Sequence, residues 1–235
     1  MNFKLTEEMI ARAADILNAG GVVIIPTDTV YGIAAHPKHP EAVQRICTIK
    51  GRPTGKPIAL LAMDIMAVIQ FGATFPDTAR RLAKKYWPGA LTLVLPMSND
   101  QQGISNVQQG ISNDQVEGER PREPLQETRY EGFRVPAHDA IRRLLALCGG
   151  VLRVTSANLS GEMPALDAAQ ALKDVGLEAD MVLDDGISPG GVASTVVKVE
   201  PDGTITVIRK GAVSVAENKK KRCADNDIPN TISLL

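Results

Sequence analysis

Val151-Leu152-Arg153-Val154-Thr155-Ser156-Ala157-Asn158-Leu159-Ser160-Gly161 begins as a short aliphatic run and turns, without a break, into hydroxyls, an amide and a closing glycine. Residues 151–154 fit a buried strand. Ser156, Asn158 and Ser160 then fall at its carboxyl end, the edge where α/β proteins place ligands. A Ser/Thr or Asx turn without a ligand reads the same letters equally well. Helical patterns flank the stretch at 139–147 and 167–175, and further strand-like runs lie at 22–25, 58–61, 91–95, 132–135, 195–199 and 204–208. Alternation of this kind predicts an α/β domain with a mixed sheet, its last two strands joined through Pro201-Asp202-Gly203.

Toward the N-terminus, Thr6 is placed to cap a helix with Glu7 and Glu8 in its first turn and an apolar stripe of Met9, Ala13, Ile16 and Leu17. Gly20-Gly21 ends it, and the strand at 22–25 stops at Pro26. Pro40 opens a second helix toward Ile49 that delivers Lys50 and Arg52 at its end. Two segments break the rhythm. Residues 98–131 are polar and contain a heptad duplication, QQGISNV then QQGISND, which reads as an inserted loop in a single domain of residues 1–215. Residues 216–235, with Lys219-Lys220-Lys221-Arg222, read as a flexible tail.

Hydrophobic residues make up 44% of the 235 and charged ones 23%, the balance of a globular protein, and no apolar run is long enough to span a membrane. The start of the chain lacks the apolar core of a secretory signal, so cytoplasmic residence without membrane contact is expected. Cys47, Cys148 and Cys223, with His36, His39 and His138, form no metal-binding spacing. A net charge of −1 argues against a protein that holds nucleic acid mainly by charge. The charge is uneven, however: residues 36–85 hold nine Lys/Arg against three Asp/Glu, and residues 151–208 the reverse, three against nine. A local basic surface of this kind can steer an anion.

Chemistry has few obvious carriers. No nucleophile elbow, P-loop, dinucleotide fingerprint or zinc-protease motif is present, so any catalysis rests on orientation and electrostatics. Lys50, Arg52 and Lys56 occur within seven residues, broken by Gly51, Pro53 and Gly55, and suit a polyphosphate. Thr27, Asp28, Thr29 and Tyr31 follow the first strand and could line a small polar pocket; the alternative is a tight turn with Tyr31 in the core. Arg134 sits between apolar neighbours and needs an anionic partner or exposure, which a substrate carboxylate would satisfy. Ser194 and Thr195 follow a glycine pair, and Arg209 and Lys210 follow the last strand.

Taken in order, PTDTVYGIAA at 26–35, KGRPTGKPI at 50–58, WPGALTLVLP at 87–96, FRVPAH at 133–138, TSANLSG at 155–161, and PGGVASTVV at 189–197 with IRKGAVS at 208–214 resemble the YrdC family of threonylcarbamoyl-AMP synthases across residues 7–214. The resemblance implies a YrdC-like α/β twist, an open mixed sheet around a concave, positively charged cavity. It implies that L-threonine, bicarbonate or carbon dioxide, and ATP with Mg2+ give threonylcarbamoyl-adenylate and pyrophosphate. A separate tRNA threonylcarbamoyl transferase would consume the adenylate. By motif position, Lys50 and Arg52 would be catalytic; Arg52, Lys56, Ser156, Asn158 and Arg209 would bind ATP; Thr29, Tyr31, Arg134 and Ser194 would bind threonine; no resident metal is implied. Two positions depart from the pattern: Leu60-Leu61-Ala62 stands where many relatives carry a histidine, and Lys210 where proline is usual. The competing reading is a YrdC-like protein that binds RNA weakly, including double-stranded RNA, without chemistry.

Overall fold

The computed structural model describes residues 5–53, 56–98 and 128–216. Within them lie six α-helices, a 3-10 turn at Gly176–Glu178 and nine strands: α1 (Glu7–Asn18), β1 (Val22–Ile25), β2 (Gly32–Ala35), α2 (Pro40–Ile49), β3 (Leu60–Ala62), α3 (Ile65–Gln70), α4 (Asp77–Tyr86), β4 (Leu91–Pro96), β5 (Tyr130–Arg134), α5 (Asp139–Leu147), β6 (Val151–Ser156), α6 (Ala168–Val175), β7 (Met181–Val182), β8 (Thr195–Val199) and β9 (Ile205–Arg209). The strands form one mixed sheet in the order β7-β1-β2-β6-β3-β5-β4-β8-β9. Three pairs are parallel, β1 with β7, β3 with β5 and β4 with β8.

Local chemistry accounts for most of the elements. Thr6 accepts the Met9 amide at 3.2 Å and caps α1, with Glu7 and Glu8 facing the positive end of the helix dipole. The buried stripe of α1 is Ile10, Ala13, Ala14 and Leu17, a rotation from the expected set that leaves Met9 and Ile16 on its flanks. Pro40 starts α2, where its missing N–H costs nothing. Asp64 and Asp167 cap α3 and α6. Gly203, at φ 84°, supplies the left-handed turn between β8 and β9.

Three elements were not expected: β2, α3 and the two-residue β7. β2 reads Gly-Ile-Ala-Ala and is buried on both faces, so it carries no alternation to betray it. The polar insert also ends earlier than residue 131, because Tyr130 and Glu131 already pair with Pro96 and Leu95. The heptad duplication, Cys223 and the tail lie outside the described residues.

One core cluster packs α1 and α5 on Val23, Ile25, Ala34, Leu61, Leu152 and Val154, while a second packs α2 and α6 on Val22, Ile24, Ile33 and Ala35. The other half of the sheet is covered by α3 and α4, over Leu60, Leu91, Leu93, Leu95, Phe133 and Val197. Phe133 is fully buried and lies edge-on to Phe71, centroids 5.8 Å apart. Phe133→Ala is expected to lower unfolding free energy by about 3–5 kcal/mol, read by urea denaturation.

Candidate functional site

Register fixes which loops meet. Ile25 pairs with Gly32, and Gly32 in turn with Ser156, so the connection 26–31 and the stretch after β6 leave the sheet at the same edge. The basic loop re-enters there too, since the Val154 amide donates to the Ala59 carbonyl at 2.9 Å. On the other half of the sheet, Leu91 pairs with Thr195, Val196 with Arg209 and Leu93 with Phe133, which gathers Gly89, Arg134, Ser194 and Arg209.

Lys50 joins the first group. It follows the last residue of α2 and is only 3% exposed, yet its ammonium donates to the main-chain carbonyls of Ser156 and Asn158 and, at 3.4 Å, to the Asn158 side-chain oxygen. The Ser160 amide answers by donating to the Lys50 carbonyl at 2.9 Å. Burial, followed by the neighbouring charge of Arg52, brings the Lys50 pKa down to about 8. Lys50 therefore points inward as a clamp on the second motif, where the sequence suggested a phosphate-facing cation.

Arg52 and Lys56 differ from it. Nη2 of Arg52 donates to the Pro57 carbonyl at 3.0 Å, while its Nε is buried without a partner among the described residues. Lys56 is exposed. Asn158 is 5% exposed, and its amide nitrogen donates to the carbonyls of Leu159 at 2.8 Å and Glu162 at 2.7 Å, which knots the loop. Ser156 is half-buried above the clamp.

Arg134 organises the second group. Its Nε donates to the Gly89 carbonyl at 3.0 Å and its Nη1 to Thr29 Oγ1 at 2.8 Å, while Nη2 pairs with Asp28. Three of the guanidinium's five N–H donors are thus engaged inside the protein. The expected substrate carboxylate is not what balances this cation; Asp28 does so. Burial, then the nearby charge of Arg209, lowers the Arg134 pKa, opposed by Asp28. Arg209 donates to the Ser194 carbonyl through Nη2 at 2.8 Å, and Ser194 Oγ lies 2.8 Å from Thr92 Oγ1. Among the described residues Arg209 has no acidic partner, so it carries the uncompensated positive charge of this group.

The connection 26–31 links the two groups. Thr27 Oγ1 donates to the Val30 carbonyl at 2.7 Å and accepts the amides of Thr29 and Val30, a closed turn that sets Thr29 against Arg134. Gly190 packs against it so closely that a Cβ there would lie 2.5 Å from the Asp28 carbonyl oxygen. Tyr31, expected to touch threonine, is instead fully buried, and its hydroxyl donates to the Gly186 carbonyl at 2.7 Å. That burial pushes its pKa up to about 12. The Ala157 amide donates to the Tyr31 carbonyl at 2.8 Å, so the first group is stitched to the same connection.

Several members escaped the sequence reading. Thr92 looked like an ordinary strand residue, and its hydroxyl pointed nowhere in the letters. His138 lies 3.3 Å from Asp185, and burial lowers its pKa against the pull of Asp185 and Asp28. Asp28 stood in a quoted polar stretch, but nothing in its spacing named Arg134, 106 residues away, as its partner. A groove lined by Met63, Asp64, Asp139, Arg142 and Arg143 contains none of these residues.

Comparison with known proteins gives the family. Residues 15–211 match the Sua5/YciO/YrdC family model, described as "Telomere recombination". A threonylcarbamoyl-AMP synthase of Bacillus subtilis is 31% identical over 88% of this chain and 55% of its own length. One from Idiomarina loihiensis is 30% identical over 77% of this chain and 87% of its own. The crystal structure of Pyrococcus abyssi Sua5 complexed with L-threonine superposes with a TM-score of 0.72 at 30% identity, covering 88% of this chain and 55% of that one. The chain belongs to the Sua5/YciO/YrdC family. It spans little more than half the length of the first curated relatives it matches.

Two outcomes test the geometry. An unfolded lysine keeps its proton to about its ordinary 10.5, whereas folded Lys50 releases it near 8. Between those values the unfolded chain binds more protons, so stability gains with rising pH across that window. Lys50→Met is expected to remove that gain, seen as a flatter profile of unfolding free energy from pH 8 to 10.5. Separately, Asp28→Ala strands a buried cation and is expected to cost about 3–5 kcal/mol in urea denaturation, with Arg134→Met added to it recovering part of the loss.

Proposed function

We propose that this chain is a threonylcarbamoyl-AMP synthase, forming threonylcarbamoyl-adenylate and pyrophosphate from L-threonine, bicarbonate or carbon dioxide, and ATP. The observation that carries the reading is the joining of two distant motifs by Lys50, beside an Arg52 whose Nε is buried with no partner among the described residues. A buried N–H donor left unsatisfied is costly, and an incoming phosphate oxygen would relieve it. The named relatives, and the threonine in the Pyrococcus structure, support the same assignment.

In this reading Arg52, Lys56 and the half-buried Ser156 receive the nucleotide in a concave, positively charged site, and Lys50 and Asn158 keep Ser156 in place. Thr29, Ser194 and the Arg134–Asp28 pair receive the amino acid, with Arg209 between the two substrates. The threonine amine attacks carbon dioxide and loses a proton to give a carbamate. A carbamate oxygen then attacks the α-phosphorus of ATP while the bond to the β-phosphate oxygen breaks and pyrophosphate departs. Two anions must approach, so fixed cations aimed at the forming charge lower the barrier most. Among the described residues no group of three or more His, Cys, Asp or Glu is arranged to hold a metal. Mg2+ keeps its waters and travels on substrate phosphates, so it would enter with ATP and neutralise the leaving group.

The product is a reactive mixed anhydride, to be passed to a separate transferase acting on tRNA. No helix among the described residues is long and apolar enough to cross a membrane. The test is pyrophosphate release from purified protein with ATP, Mg2+ and bicarbonate: it is expected only when threonine is added, and Arg52→Ala is expected to reduce it at least a hundredfold, in the range seen when one transition-state donor is removed. Release that ignores threonine would refute the assignment.

A further inference from the structure

Half-buried Arg153 and buried Glu131 form an ion pair that the site described so far does not use. Arg153, in β6, and Phe133, in β5, both pair with Leu60 of the intervening β3, and Glu131 lies two residues before Phe133 on the same face, so the long side chains of Arg153 and Glu131 meet across that strand. The contact is bidentate: Nη1 of Arg153 donates to Glu131 Oε2 at 2.6 Å and Nη2 to Oε1 at 3.1 Å. Glu131 is 8% exposed, and Arg129 adds a contact at 3.1 Å. Burial alone would raise the Glu131 pKa, but the Arg153 and Arg129 guanidiniums hold it below the ordinary carboxylate value.

The remaining bond of Arg153 gives the pair a purpose. The same Nη1 donates to the main-chain carbonyl of Ile58 at 2.7 Å. Residue 57 is proline and has no N–H of its own with which to be anchored. Among the described residues, the segment from 56 to 59 is held by three hydrogen bonds: Arg52 Nη2 to the Pro57 carbonyl, Arg153 to the Ile58 carbonyl, and the Val154 amide to the Ala59 carbonyl. The middle one fixes the peptide next to the carbonyl on which the Arg52 guanidinium rests.

From this chain of contacts we infer that Glu131 and Arg153 are a positioning pair for the triphosphate side of the site: Glu131 locks Arg153, Arg153 holds the Ile58 carbonyl, and the Pro57 carbonyl beside it orients Arg52. This rests on the synthase reading. Neither residue touches substrate. The pair acts on the basic loop and on nothing in the Thr29–Arg134–Ser194 group, so its loss falls on one substrate.

Three variants test it: Arg153→Met, which keeps the stem without donors; Arg153→Lys, which keeps a donor for Ile58 but not the fork; and Glu131→Gln, which keeps the shape without the charge. For Arg153→Met, KM for ATP is expected to rise about tenfold, ~1.4 kcal/mol, while KM for threonine stays within about twofold, since no contact on that side is altered. Arg153→Lys is expected to recover part of the ATP effect, and Glu131→Gln to show an intermediate one. Equal losses for both substrates, or an unchanged KM for ATP in a folded Arg153 variant, would overturn the inference. Should Arg153→Met not fold, the lysine and glutamine variants carry the same comparison. Should the wild type release no threonine-dependent pyrophosphate, the synthase reading fails, and amide exchange over residues 56–62 decides the positioning claim alone. Faster exchange in the Arg153 variants supports it, and unchanged protection refutes it.

Discussion

One buried ammonium makes a site out of two sequences a hundred residues apart. Lys50 ends α2, so its backbone place is set by the helix, and its charge lies where the helix dipole favours a cation. An isolated ammonium in a protein interior is expensive. Here the carbonyl oxygens of Ser156 and Asn158 replace the lost water, and in doing so they hold the turn after β6 against the end of α2. The desolvation that depresses the lysine pKa and the rigidity of the hydroxyl-bearing turn are therefore two results of the same burial. Had the lysine pointed outward, the turn would rest on its own knot, through the Asn158 amide, and on main-chain bonds to the carbonyls of Tyr31 and Lys50.

The second half of the site is built on a different economy of charge. Arg134 meets Asp28 within the protein, so the pair is neutral and its contribution is geometric: it fixes Thr29 and the carbonyl of Gly89 around one guanidinium. Net positive charge there comes from Arg209, which leans on the Ser194 carbonyl and has no acidic partner among the described residues. Between the halves stands the closed turn of residues 26–31, whose Thr27 hydroxyl satisfies its own backbone. Its rigidity transmits the position of β1 to both groups. The close approach of Gly190 to the Asp28 carbonyl explains a glycine there without appeal to conformational freedom, because any Cβ would collide with backbone.

How much of this could be read from the letters follows from the range of the forces involved. Caps, proline starts and aliphatic runs are local, so α1, α2, α5, β1 and β8 were legible to within a residue or so. β2 was not, because a strand buried on both faces and made of Gly, Ile and Ala has no period to display. Among the site residues, type and loop position singled out Lys50, Arg52, Asn158, Arg134 and Ser194 one at a time, and only the resemblance to the YrdC family set them in one site. What each does was less visible. Whether a cation faces outward or inward depends on acceptors from distant strands, which is why Lys50 turned out to clamp carbonyls and Tyr31 to sit in the core. The need of Arg134 for an anion was plain from its apolar neighbours; that Asp28 supplies it depends on a fold-level juxtaposition.

The cations sort themselves by what they touch. Lys50, Arg134 and Arg153 place their donors on carbonyls and carboxylates of the protein, whereas, among the described residues, Arg52 rests on the Pro57 carbonyl but keeps a buried Nε without a partner, Lys56 is exposed, and Arg209 rests on the Ser194 carbonyl without an acidic partner. Chemistry that brings two anions together needs positive groups already fixed in place, because reorienting them during the reaction would return much of the gain. Long side chains on loops do not meet that requirement by themselves, since each loses rotamer freedom when ordered. The inward cations answer it by ordering the loops in advance, through bonds that exist before any ligand arrives. Within residues 36–85, Lys50 thus supplies architecture, and in the proposed function Arg52 and Lys56 are the cations left for the nucleotide.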